Sequence, residues 1–177
     1  LKGCEYLIKA FATISKKYPE IKLHIVGDGP LRKELETLAQ MLGVSEYVVF
    51  YGYLSGTPLE ELYSKSSIFV LPAIVDSNGF TEGLGTVLIE AISKGCAVIA
   101  SNVGGIPDIV KNEETGLLVP EKNPVALAEA IIRLENDPEL RKRVAEGGAR
   151  FVSENFSWDA ISKKYNDIYQ MVCSSKR

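Results

Sequence analysis

The 177-residue sequence is poor in the residues that staple a chain together covalently or through a metal. Its three cysteines, Cys4, Cys96 and Cys173, are scattered and form no CxxC pair, and His24 is its one histidine. A disulfide framework needs a dense, even set of cysteines, and a zinc site needs clustered thiols and imidazoles. Neither is expected, no metal is expected, and a reducing cytoplasm is the expected setting. No apolar run approaches the roughly 18 residues that span a bilayer, and no secretory leader pattern opens the chain. Charge of one sign is lacking too: 20 basic residues stand against 23 acidic ones, a net of −3. That balance leaves no footprint for nucleic acid and no basic surface for membrane docking. Two nucleotide motifs are also absent. After Gly27 and Gly29 the third glycine of a dinucleotide fingerprint would fall at position 32, which is arginine, and no GxxxxGK[ST] occurs.

What remains is a globular composition, 46% apolar and 24% charged, of a length suited to about one domain. Helical and extended patterns alternate. Cys4, Leu7, Ile8, Phe11 and Ile14 share a helical face. Residues 22–26 read as a strand ended by Gly27-Asp28-Gly29-Pro30. Leu31, Leu35, Leu38 and Leu42 recur at helical spacing up to Gly43. Strands follow at 48–51 and 68–71. Between them Thr57-Pro58-Leu59-Glu60 reads as a capping box opening a short helix. A long loop, from Ala73 to about Gly83, leads to a helix from Val87 to Lys94 and a buried strand at 97–100. A weaker strand covers 116–119, and Asn123-Pro124, Asp137-Pro138 and Ser157-Trp158 each open a helix. Short, continuously apolar strands separated by helices predict an α/β, Rossmann-like, doubly wound parallel sheet covered on both faces. Ligands of such folds bind beyond the carboxyl ends of the strands.

The segment with most chemistry is Glu82-Gly-Leu-Gly-Thr-Val-Leu-Ile-Glu90. Its first glutamate lies in a loop beyond a strand and its second about one turn into the next helix. Gly83 and Gly85 let the backbone approach a ligand. A helix start presents unpaired N–H groups that favour an anion such as a phosphate. Flanking carboxylates accept hydrogen bonds from sugar hydroxyls. The arrangement suits a sugar–phosphate ligand. The same residues also read as a glycine-rich turn with a solvated glutamate.

The order and spacing of further segments carry a resemblance. After Glu82 and Glu90 come Gly95, Ser101-Asn-Val-Gly104-Gly105-Ile-Pro107, Thr115-Gly116-Leu-Leu-Val119 and Phe156-Ser-Trp158. Ile25 to Pro30 and Phe69-Val-Leu-Pro72 match as well. The set resembles the nucleotide-sugar-binding, C-terminal half of a retaining glycosyltransferase of the two-Rossmann (GT-B) group, glycosyl transferases group 1, family 4. The resemblance implies transfer of a sugar from a nucleotide diphosphate sugar to a hydroxyl of a glycan, lipid or small molecule. It places Glu82 at the transferred sugar as the catalytic candidate. Glu90 would bind the ribose hydroxyls. Backbone amides of Gly83, Leu84, Gly85 and Thr86 would face the sugar and diphosphate. Lys2 looks like the lysine of the family's diphosphate clamp, whose arginine would precede Leu1. Gly27, Gly52, Tyr53 and Leu54 fall on the nucleobase side. No cofactor is implied, and no DxD triplet is present for a metal. Residues 1–155 would be the donor domain and residues 156–177 a crossover helix. The acceptor domain, with any peripheral membrane contact, would lie on a missing N-terminal half, since the chain opens inside what looks like a motif. Two departures lie near the sugar pocket: Leu84 stands where phenylalanine is common, and the loop from Ala73 to Thr81 is long. A sugar-nucleotide 2-epimerase of the same fold, a non-catalytic nucleotide-binding module and a plain interaction domain are the alternatives.

Other residues carry plainer expectations. His24 reads as strand packing and Asp28 as a turn residue. Asp76 and Asn78 read as solvated, or as facing the acceptor sugar. Cys96 reads as a small buried hydrophobe. Trp158, Ile161, Tyr165, Ile168 and Val172 form an apolar stripe on the last helix, with Trp158 and Ile161 expected to be buried and the distal turns to be the least secure.

Overall fold

A computed structural model describes residues 1–174. Helix and strand alternate as α1 (Cys4–Ile14), β1 (Leu23–Val26), α2 (Arg32–Met41), β2 (Val48–Gly52), α3 (Thr57–Lys65), β3 (Ile68–Leu71), α4 (Thr86–Ser93), β4 (Ala97–Ser101), α5 (Ile106–Ile109) and β5 (Leu117–Val119). Three helices close the chain: α6 (Pro124–Asn136), α7 (Pro138–Phe156) and α8 (Trp158–Ser174). All strand pairing is parallel, and the fold is the expected α/β class. The strands form two sheets, ordered β1-β2 and β3-β4-β5.

The alternation of strand residues explains the layers. Ala97 and Ile99 of β4 enter a core with Leu7, Ala10 and Ile14 of α1 and Leu127, Ile131 and Leu134 of α6. Val98 and Ala100 enter a second core with Leu88 and Ile92 of α4, Ile106 and Ile109 of α5 and Val152 of α7. Every residue of β4 is therefore buried. Burying each large side chain contributes about 1.5–3 kcal/mol. The β1-β2 pair differs. Ile25, Val48 and Phe50 pack on Ile8 and Phe11 of α1 and Ala39 of α2, while His24, Val26, Val49 and Tyr51 are exposed on the other face. Expecting both faces to be covered was wrong for this pair. His24 is not packed inside; its Nδ1 lies 3.0 Å from the Tyr51 hydroxyl.

Side-chain caps fix all three of the late helices. Asn123 Oδ1 accepts from the Ala126 amide at 3.0 Å, and Asp137 Oδ1 from that of Leu140 at 2.9 Å. At the start of α8 the Ser157 hydroxyl accepts from Ala160 at 3.2 Å. The capping box at Thr57 does not form. Gly56, at φ 61°, makes the turn, so Thr57 is already helical and no side chain caps α3. The single turn of α5 went unanticipated, because Gly-Gly-Ile-Pro reads as loop.

The last helix departs from expectation at its start. Trp158 is 84% exposed rather than buried. Phe156, at the end of α7, takes the inward place, its ring 6.0 Å from that of Phe151. Ile161 is half-buried, and Tyr165, Ile168, Tyr169 and Met171 are exposed. Residues 175–177 of the expected tail segment lie outside the described residues. A helix held so lightly is marginal in water. Hydrogen exchange is therefore expected to be fast from Tyr165 to Cys173 and slow from Ala97 to Ala100. Equal protection of the two segments in a monomeric chain would contradict this.

Candidate functional site

The loop after β3 is pinned from three sides. The Leu1 carbonyl accepts from the Ile74 amide at 2.9 Å. A side chain on Gly3 would fall 2.0 Å from the Pro72 carbonyl oxygen, so this glycine is what lets the first residues lie against the loop. From the far side, Glu121 Oε2 accepts from the Val75 amide at 2.7 Å. The loop tip is organised by Asp76, whose Oδ1 accepts from the amides of Asn78 (2.8 Å) and Phe80 (2.9 Å). One oxygen of the Asp76 carboxylate thus shapes the turn, and the residue is half-buried rather than fully solvated.

This pinning puts Lys2 against Glu82, and the two form an ion pair and hydrogen bond. The Glu82 side chain is 18% exposed and that of Lys2 is 56% exposed. Two residues that the resemblance assigned to one site, eighty positions apart, are therefore neighbours. Behind Glu82 the backbone rests on Gly104 and Gly105. A Cβ on Gly104 would sit 2.0 Å from the Glu82 carbonyl oxygen, and one on Gly105 would sit 2.0 Å from that of Gly83. The Gly105 amide donates to the Glu82 carbonyl at 3.4 Å. The glycine pair is a flat support for the segment Glu82–Leu84.

Gly85, in the left-handed region at φ 75°, turns the chain into α4. Its carbonyl accepts from Leu88 at 2.8 Å. That bond satisfies the Leu88 amide, and a helix start leaves the amides ahead of it, those of Thr86 and Val87, without intrahelical partners. Gly83, Leu84 and Thr86 are exposed beside them. Glu90 lies one turn further and is exposed, its Oε2 accepting from the Tyr63 hydroxyl at 3.4 Å. Tyr63 is held by its ring, 5.8 Å from that of Phe69. Burial, then the Glu90 charge, push its phenol up to about 12.

The base-side candidates gather elsewhere on the same rim. At the carboxyl ends of β1 and β2 the Gly27 amide donates to the Gly52 carbonyl at 2.7 Å. Tyr53 is 80% exposed and Leu54 half-buried just after. The sequence reading missed Arg32, which ties this corner together. Its Nη2 donates to the Phe50 carbonyl at 3.3 Å, its Nε donates to Glu36 at 2.9 Å, and Asp28 lies 3.7 Å away. Asp28 is the expected turn residue, accepting from the Gly29 amide at 2.8 Å. Tyr63 was missed as well. The spacing between Asp28 and Arg32 was a usable signal for the first, whereas nothing in the sequence joins Tyr63 to Glu90. A surface depression of about 330 Å³ between α4 and α7, and one of about 450 Å³ along α7 beside Ser67 and Gly95, contain none of these residues.

Cys96 is buried, its Sγ 3.3 Å from the Ser66 carbonyl, and burial pushes its thiol up to about 11. Its folded value lies above the ordinary one, so its contribution to stability is intact at neutral pH and is lost as pH rises towards 11. Cys173 is exposed. A thiol reagent at neutral pH is expected to modify Cys173 quickly and Cys96 only on unfolding. Equal rates would contradict the packing.

A family model described as "Glycosyl transferases group 1" matches residues 1–151. The chain belongs to this family. It is 36% identical over 170 residues to an uncharacterised glycosyltransferase of Methanocaldococcus jannaschii, covering 96% of this chain and 42% of that protein. It is 32% identical over 168 residues to the GDP-mannose-dependent alpha-(1-6)-phosphatidylinositol monomannoside mannosyltransferase of Mycobacterium tuberculosis, covering 94% and 44%. Among solved structures it is similar to the C-terminal domain of a glycosyl transferase group 1 protein from Francisella tularensis. There the TM-score is 0.78 at 29% identity, over 89% of this chain and 80% of that one. The chain thus spans less than half of the curated relatives it matches, and its fold is that of the Rossmann-like C-terminal domain of a GT-B glycosyltransferase. The family match ends before α8. Among the described residues no helix is long and apolar enough to cross a membrane.

Proposed function

We propose that this chain is the donor-binding half of a retaining glycosyltransferase. It would take a nucleotide diphosphate sugar and deliver the sugar to a hydroxyl acceptor held by another part of the longer protein. The observation that carries the reading is the junction at the end of β3, where Lys2 meets Glu82 beside the start of α4, with Glu90 one turn on. In this reading the α4 amides and Lys2 offset charge developing on the diphosphate leaving group, with no metal required. Glu82, released from Lys2 when the diphosphate arrives, faces the transferred sugar. Glu90, oriented by Tyr63, accepts from the ribose hydroxyls. Gly27, Gly52, Tyr53 and Leu54 border the base. The mannosyltransferase relative, named as dependent on GDP-mannose, supports a nucleotide diphosphate sugar as donor. The test is product analysis on the longer protein with labelled nucleotide sugars and a panel of acceptors. Transfer with the anomeric configuration kept is the expected result; inversion or simple epimerisation of the donor would overturn it.

A further inference from the structure

Helices α3 and α4 are joined by two side-chain rungs. Tyr63 of α3 donates to Glu90 Oε2 at 3.4 Å, and Lys94, which caps α4, donates to Glu60 Oε2 at 3.0 Å. Glu60 and Tyr63 are three positions apart on α3, and Glu90 and Lys94 are four apart at the end of α4. Residues so spaced are neighbours on one helix face. The Lys94 amide donates to the Glu90 carbonyl at 3.2 Å, so the helical turn between the two is intact. The end of α3 is tied to the chain after α4, where Cys96 Sγ lies 3.4 Å from the Tyr63 carbonyl and 3.3 Å from that of Ser66. The Lys94 side chain is 39% exposed and that of Glu60 is 61% exposed. A pair so open to water contributes little to stability. What it does is decide where the ammonium goes. A glutamate four residues before a lysine is the favourable order for an ion pair along a helix. Glu90 is thus the local partner of Lys94, yet Lys94 is turned to Glu60 on the next helix. Among the described residues Glu90 makes no ion pair.

We propose, on the reading of Glu90 as the acceptor for ribose hydroxyls, that Glu60 is a positioning residue of the nucleotide site: by holding the Lys94 ammonium it leaves the Glu90 carboxylate to hydroxyl donors. An ammonium seated on Glu90 would occupy its acceptor sites and cancel the charge that strengthens its hydrogen bonds. A ribose would then have to break an ion pair before it could bind. Tyr63 has no such cost, because a neutral hydroxyl orients one carboxylate oxygen and leaves the charge in place. The two rungs divide the work. One aims Glu90, and the other keeps its nearest cation occupied elsewhere. Neither Glu60 nor Lys94 touches the nucleotide in this account.

Calorimetric titration of the full-length protein provides the test. Uridine, guanosine and adenosine diphosphates are the probes, and the tightest binder is carried into Glu60→Ala, Lys94→Met, the double variant and Glu90→Gln. Glu60→Ala is expected to weaken binding about two- to fivefold, the strength of an exposed ion pair now formed on Glu90. Lys94→Met breaks the same native pair, yet it is expected to bind as the parent does and to restore parental affinity in the double variant. Charge alone gives the opposite signs, since removing a carboxylate favours an anionic nucleotide and removing an ammonium disfavours it. High salt is expected to shrink the Glu60→Ala effect. With Glu90→Gln weakened, unchanged or tighter binding by Glu60→Ala, or an equal loss in Lys94→Met, would overturn the inference alone. A Glu90→Gln protein that binds as well as the parent, or a parent that binds none of the three probes, would overturn the reading of Glu90 and the inference with it.

Discussion

Gly105→Ala is expected to remove nucleotide binding while leaving most of the fold in place. The added methyl would lie 2.0 Å from the Gly83 carbonyl oxygen and 3.4 Å from the Leu84 Cα. Neither is the end of a flexible side chain, so the loop must move. The cost in stability is that of overpacking, about 1–3 kcal/mol, which a domain of this size survives. The cost to the site is larger in proportion. A displacement of about 1 Å in a positioned group lowers rates by about a hundredfold, and here the displaced groups are the amides between Glu82 and α4. Gly104→Ala should act in the same direction and more strongly. It combines a contact of 2.0 Å with the Glu82 carbonyl oxygen and a φ of 54° that side chains rarely adopt. Circular dichroism separates loss of binding from loss of fold. A Gly105→Ala protein that binds nucleotide as well as the parent would contradict the support role given to the glycine pair.

Glu82→Gln and Glu90→Gln are expected to fail in different ways in the full-length enzyme. Glu90 is exposed, and its proposed partners are ribose hydroxyls. Its amide analogue should weaken nucleotide binding by about 1.5–3 kcal/mol, the worth of one charge-assisted hydrogen bond. Glu82 is proposed to face the reacting sugar, so its replacement should lower turnover more than donor affinity. It also removes the partner of Lys2, and freeing that ammonium for the diphosphate works against any loss of affinity. Interchangeable effects of the two variants on kcat and on donor KM would contradict this division.

Much of the fold was legible because its strands are buried and short. Ala97–Ala100 and Ile68–Leu71 are continuous apolar runs, which few structures other than a covered parallel sheet accommodate. Caps at Asn123 and Asp137 announced α6 and α7, because their side chains bond the first free amides. The misreadings have local physical causes. Thr57 has the right chemistry for a cap, but Gly56 takes the turn first. Trp158 fits the helical stripe of α8 by spacing, yet spacing does not say which face meets the body, and Phe156 had already filled the inward place. Asp76 carries a charge that reads as solvated, while its loop uses it to bind two amides. In the site, Glu82 and Glu90 were visible through spacing and resemblance. The approach of Lys2 to Glu82 depends on Gly3 lying against Pro72, and that of Tyr63 to Glu90 on the packing of α3 beside α4. Contacts between distant segments have no periodicity to betray them.

The central claim is that the segment from Glu82 to Glu90 receives a nucleoside diphosphate. Titration calorimetry of the 177-residue chain and its Glu90→Gln variant, against a panel of nucleoside diphosphates and their sugar conjugates, tests it most directly. The account predicts weak binding of at least one diphosphate to the parent chain, near the millimolar range or about −4 kcal/mol, and weaker binding still to the variant. No heat of binding at millimolar nucleotide, or equal binding by both proteins, would contradict it.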